Sequence, residues 1–163
     1  MPEIIPNYHP ILVHFTIALT TTAFGMMILS YIFVFKPTVQ KECQIVSRWC
    51  IWLAALISIL TVAAGFHAYY TVAHDTVSHQ VMMTHRNWGI ATFVDIWIMA
   101  LWALRLYLKE KSPRWLFSIA LAVTFALVII TGWYGAELVY RYGIGVQQLP
   151  KVHVKSAVGH QHD

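Results

Sequence analysis

Nine histidines occur in a chain of 163 residues, and they cluster by position. His9 and His14 stand in "NYHPILVHF", at the mouth of an uncharged apolar stretch. His67 lies near the end of a second apolar stretch, and His74, His79 and His85 belong to "HDTVSHQVMMTHR" just beyond it. His153, His160 and His162 fall in the polar tail. Ionisable groups at membrane depth are costly and are candidates for function. Neutral imidazoles from separate helices between apolar walls are what a b-type haem requires. Imidazole mixed with the thioethers of Met82 and Met83 is a softer donor set that suits copper. No C-x-x-C-H run is present, which excludes covalent c-type haem attachment to this chain. H-E-x-x-H, G-x-S-x-G and phosphate-binding glycine loops are also absent.

These residues need elements to hold them. Hydrophobic residues make up 58% of the chain and charged ones only 11%, under half the usual charged share of a soluble domain. Four apolar segments stand out: Ile11 to Phe35, Ser47 to Ala73, Asn87 to Leu108 and Trp115 to Tyr140. Each reaches the roughly 20 residues that a spanning helix needs. "KPTVQKEC" and "KEKSPR" read as breakers, and the histidine-rich stretch reads as the loop between segments two and three. The expectation is an all-α, integral-membrane four-helix up-down bundle over residues 1–146, followed by a mobile histidine-containing tail over 147–163. No internal repeat is legible.

Lys36, Lys41, Arg48, Arg105, Lys109, Lys111 and Arg114 flank the two short loops, against Arg86, Arg141, Lys151 and Lys155 at the other end. The excess of basic residues places the short loops in the cytoplasm, and both termini and the histidines on the periplasmic side of a bacterial inner membrane. "MPEIIP" lacks the basic start of a secretory signal, so no cleavage is expected. The net charge of +4 follows from this loop bias and gives no reason to expect nucleic-acid binding. Cys43 and Cys50 lie towards the predicted cytoplasmic side, where thiols stay reduced.

Helical rise sets the expected depths. With a helix starting at Pro10, His14 lies about 6 Å inside it, and His67 lies about 9 Å before the end of the second helix. His85 opens the third. Three helices then present imidazoles near one level, with Ala18 and Gly89 one turn along the faces of His14 and His85. Gly65, Gly132 and Gly135 admit close approach of a flat ring, and Phe15, Phe66, Trp88 and Trp133 supply walls. His9 and His14 are about 140° apart round a helix and so do not share one ligand. Glu137 either pairs with Arg141 or orients a ligand imidazole. Asp95 falls near the bilayer centre, where it is expected to bond a hydroxyl of a neighbouring helix, with a proton relay or quinone contact as the alternative.

"HPILVHF" (His9 to Phe15) and "TGWYGAELVYRYGIGV" (Thr131 to Val146) resemble the domain of unknown function 2231 family of small four-helix bacterial membrane proteins. The resemblance runs from His9 almost to the tail. It implies a conserved-type opening H-P-x-x-V-H-F, a third-helix histidine at His85 and a closing G-x-x-G-x-E-L-V-Y-R-x-G over Gly132 to Gly143. It also implies a redox setting, since some relatives are fused to c-type cytochrome domains. His14 and His85, which match the family pattern, are the first choice as haem ligands. His67 and His9 come next, for a second haem or as replacements, and Gly89 and Glu137 complete the cofactor-binding set. No catalytic residue is assigned. The functional expectation is a membrane cytochrome with one or two b haems. It would pass electrons from a membrane donor such as quinol to a periplasmic redox protein, with lipid around it and self-association left open. The alternatives are a periplasmic-side copper- or iron-binding membrane protein using the same histidines, and a non-catalytic assembly subunit.

Overall fold

The computed structural model describes residues 8–146; the tail with His153, His160 and His162 lies outside them. The described chain forms four helices: α1 (His9–Ile32), α2 (Pro37–Thr71), α3 (Thr76–Leu108) and α4 (Trp115–Tyr140). All four are long and apolar enough to cross a membrane. Only 22–28% of each spanning window is buried inside the protein. The remaining apolar surface therefore needs lipid to cover it.

Two expected boundaries move, each for a local reason. α2 begins ten residues earlier than Ser47, because Pro37 sits at its first turn, where a missing N–H costs nothing. The histidine-rich stretch is helical from Thr76 rather than a loop. Asp75 caps it: its carboxylate accepts the Ser78 amide at 2.8 Å, and the Asp75 amide donates to the Ser78 hydroxyl at 3.0 Å. The reciprocal bonds form a capping box. The Ser78 hydroxyl, which also donates to the Asp75 carboxylate at 2.6 Å, and then the Ser78 amide hold this exposed carboxyl below the ordinary carboxylate range. Only residues 72–75 remain between α2 and α3.

The helices pack as a square. α1 touches α2 and α4, and α3 touches α2 and α4, while the diagonal backbones stay apart. Each side of the square carries a polar bond. Ser47 Oγ donates to the Ala23 carbonyl at 2.7 Å between α1 and α2. Trp52 Nε1 donates to the Ala100 carbonyl at 3.1 Å between α2 and α3. The Thr92 and Thr131 hydroxyls meet at 2.8 Å between α3 and α4. Tyr31 and Ser118 meet at 2.7 Å between α4 and α1. Residues 33–36, 72–75 and 109–114 are the only connections between the helices, too short to return along the bundle, so consecutive neighbours run antiparallel and the bundle is up-down. Lipid gives no hydrophobic drive between helices, so close packing and such bonds must hold them.

The buried residues reveal a repeat. In α1 they are Thr16, Thr20, Ala23 and Met27, with Ser30 beyond them, and α3 includes Thr92, Ile96, Met99 and Ala103 at the spacing of the first four. α2 buries Ser47, Ile51, Ala54 and Ser58, and α4 buries Phe117, Leu121, Thr124 and Val128 at that spacing again. The hairpins α1–α2 and α3–α4 are two copies of one packing register. Pairs such as Thr20 and Ile96, or Ser47 and Phe117, share position but not chemistry, which is why no repeat was legible in the sequence.

Candidate functional site

The repeat converges at the end of the bundle that holds the α2–α3 connection. His9 is the first residue of α1 and His85 stands in the third turn of α3. Each is followed seven residues later by a threonine, Thr16 or Thr92, that bonds across its hairpin. The His9 Nδ1–H donates to the Thr61 carbonyl at 2.9 Å, and the His85 Nδ1–H donates to the Thr131 carbonyl at 3.0 Å. Each acceptor lies one turn before a glycine, Gly65 or Gly135.

The glycines explain how these bonds form. In a regular helix the carbonyls of Thr61 and Thr131 already accept the amides four residues on, so an imidazole must use the second lone pair of each oxygen. A side chain on the next turn would stand in its way. A Cβ on Gly65 would lie 3.0 Å from Cε1 and Nδ1 of His9, and one on Gly135 would lie 3.1 Å from Cε1 of His85. Both glycines thus make room for an imidazole edge rather than for a separate flat ring.

Across the bundle the two rings meet edge to face, with centroids 6.0 Å apart and planes at 80°. They span the diagonal that the α1 and α3 backbones leave open. With Nδ1–H committed to a carbonyl, each neutral ring carries its lone pair on Nε2. Metal-binding histidines are oriented in this way, the second nitrogen donating to a carbonyl or carboxylate.

The other expected site residues lie elsewhere. His14 is exposed on the outer face of α1, its Nδ1–H donating to the Pro10 carbonyl one turn back. His67 is also exposed, on α2. Neither is brought to His85. Gly89 faces α4, where its Cβ would stand 3.9 Å from the Thr131 methyl, so it serves helix packing below His85. Glu137 binds Arg141 at 2.7 Å, and the orienting of imidazoles falls to backbone carbonyls. His74 and His79 stack at 5.0 Å, the His79 Nδ1 and His74 Nε2 atoms 2.9 Å apart. Met82 is buried while Met83 is exposed, so the two thioethers point different ways. Among the described residues no three His, Cys, Asp or Glu side chains gather where one ion could bind them all. The sequence alone places His9 with His67, behind His14 and His85. The signal that would have raised it is the matched His-x6-Thr run, His9 to Thr16 and His85 to Thr92.

Residues 6–148 match the model of the family described as "Predicted membrane protein (DUF2231)". The chain belongs to this family. The resemblance read from the two end segments is thereby established over most of the chain, and with it a four-helix membrane protein. No curated protein and no solved structure matches the sequence. For this DUF2231 member the His9–His85 pair must therefore be interpreted from its own chemistry.

Proposed function

We propose that the protein is a membrane redox carrier whose centre is held by His9 and His85, with a b-type haem as the group they bind. The observation that carries this reading is the pair itself: two imidazoles from different hairpins, each with Nδ1–H tied to a carbonyl, their ring centres 6.0 Å apart and their planes at 80°. Two imidazoles sharing one metal at nitrogen distances of about 2 Å stand with ring centres roughly 6 Å apart. His9 takes the role first expected of His14, which faces outward. A haem supplies one-electron chemistry, while the chain supplies axial nitrogens, a dry setting and fixed ring planes. The bias of basic residues toward the short loops argues for the pair lying under the periplasmic face of an inner membrane. Quinol as donor and a periplasmic protein as acceptor fit that placement.

A second reading is favoured by one specific feature. Gly65 and Gly135 let α2 and α4 close directly on the imidazole edges. A bare copper ion asks for less room between the two rings than a macrocycle, which must lie between the hairpins and part them. Visible spectra of protein purified in detergent, before and after dithionite, separate the two. A Soret band with sharp reduced α and β bands is expected. A colourless protein with one copper per chain by elemental analysis would support the second reading. His9→Ala and His85→Ala should each lower bound haem or copper at least tenfold, with His14→Ala near wild type. Loss on His14→Ala alone would exclude the pair.

A further inference from the structure

The opposite end of the bundle, bounded by the α1–α2 and α3–α4 connections, holds a cavity of about 360 Å³ unrelated to the histidines. Arg48 of α2 reaches into it. Its guanidinium lies 4.6 Å over the Tyr107 ring and 5.4 Å from the centre of the Trp52 ring. Stacking of this kind fixes the plane of the fork and leaves its edge for hydrogen bonding. Nε of Arg48 is buried and has no hydrogen-bond partner. The one ion pair among the described residues joins Glu137 to Arg141, so Arg48 has no carboxylate either. Lys41 and Lys111 line the same cavity, with Glu110 as its one carboxylate. Three cations therefore face one anion.

The backbone puts Lys111 there at a cost. Glu110 is the one described non-glycine residue at positive φ, 51°. This left-handed turn ends α3: the Lys111 amide donates to the Leu106 carbonyl at 2.9 Å, and the Glu110 amide to the Tyr107 carbonyl at 3.0 Å. Those are the two bonds of a Schellman cap, usually closed by glycine. The level also fits. α2 has 35 residues, about 52 Å of helix against a hydrocarbon layer of about 30 Å. Lys41 lies about 6 Å and Arg48 about 16 Å from the start of α2, so a surplus of about 22 Å carried mainly at this end brings both to headgroup depth.

We propose that this cavity is an oxyanion site that takes a phosphate group, with Arg48 as its principal donor and Lys41 and Lys111 at the rim. A phosphate offers the acceptors that the stacked fork lacks, and basic pockets between spans at headgroup level suit phospholipid headgroups. A soluble phosphate presents the same chemistry, so the test has two arms. The delipidated full chain in neutral detergent is titrated with phosphatidylglycerol or phosphatidylcholine under native mass spectrometry, and separately with inorganic phosphate while Trp fluorescence is followed. One phosphatidylglycerol per chain, bound at least tenfold more tightly than phosphatidylcholine, is the expected result. Arg48→Gln should weaken it at least tenfold, and Arg105→Gln, outside the cavity, should leave it unchanged. Displacement of the lipid by submillimolar inorganic phosphate would keep the site and assign it to a soluble ligand. If Arg48→Gln does not fold, the double variant K41Q/K111Q, at two exposed positions, carries the test with an expected several-fold loss. No preference for phosphatidylglycerol over phosphatidylcholine, whose phosphate is paired with its own choline, together with no binding of inorganic phosphate, or full binding in these variants, would overturn the proposal.

Discussion

At the scale of single residues, the histidines show that depth and facing are separate properties. His9 and His14 lie five residues apart, yet one turns into the bundle and the other toward lipid. Asp95 poses the opposite problem. Its Oδ2 is buried on α3 without a hydrogen-bond partner, and the expected bond to a neighbouring hydroxyl is not formed, since Thr20 and Thr124 donate to carbonyls of their own helices. An aspartate near a span's centre costs about 3 kcal/mol on insertion scales, and an unmet buried acceptor adds about 1–3 kcal/mol. Asp95→Leu should therefore raise the thermal midpoint in detergent, by the equivalent of about 1–3 kcal/mol, without changing bound haem or copper. A lowered midpoint would show that Asp95 has a stabilising partner, such as a bound ligand or a second chain.

At the scale of elements, each hairpin works as a clamp: a histidine on one helix, and a carbonyl bared by glycine on the next. Gly65→Ala and Gly135→Ala put a methyl at the limit of contact with an imidazole. Overpacking costs about 1–3 kcal/mol, against about 1 kcal/mol regained from helix propensity. A net loss of about 1 kcal/mol is expected for each, together with at least a threefold drop in bound haem or copper. Gly25 meets nothing within 4 Å, so Gly25→Ala should leave occupancy unchanged and stability equal or higher. Equal behaviour of the three variants in thermal melts and metal analysis would remove the clamp. Helix extents were partly legible: Trp115 to Tyr140 was read from composition alone, since nothing but α4 fits there. The early starts of α2 and α3 were not, because polar first turns projecting past the hydrocarbon look like loops in a hydropathy reading.

At the scale of the whole molecule, the bundle pairs two hairpins that share one buried spacing, with His9 in one and His85 in the other. The arrangement makes the ends of the protein chemically different, imidazoles at one and stacked arginine with lysines at the other. The charge asymmetry predicts the α2–α3 connection on the outer side, and a single cysteine at Val72, with Cys43 and Cys50 replaced by serine, tests it. A membrane-impermeant maleimide applied to spheroplasts should label Val72→Cys fully. Labelling only after lysis would turn the protein over and put the histidine pair on the cytoplasmic side.

The sequence by itself determined class and family: apolar runs of spanning length permit only helices in lipid, because every backbone group must be satisfied within its own segment, and the two end segments specify the DUF2231 pattern. It also located the histidine-rich end of the bundle. Which imidazoles meet was decided only by tertiary structure. A ring's direction depends on how its helix is rotated against its neighbours, and that rotation is fixed by the buried register of Thr16, Ala23, Ile51, Ile96 and Leu121, which pairs residues too unlike to be matched in one dimension.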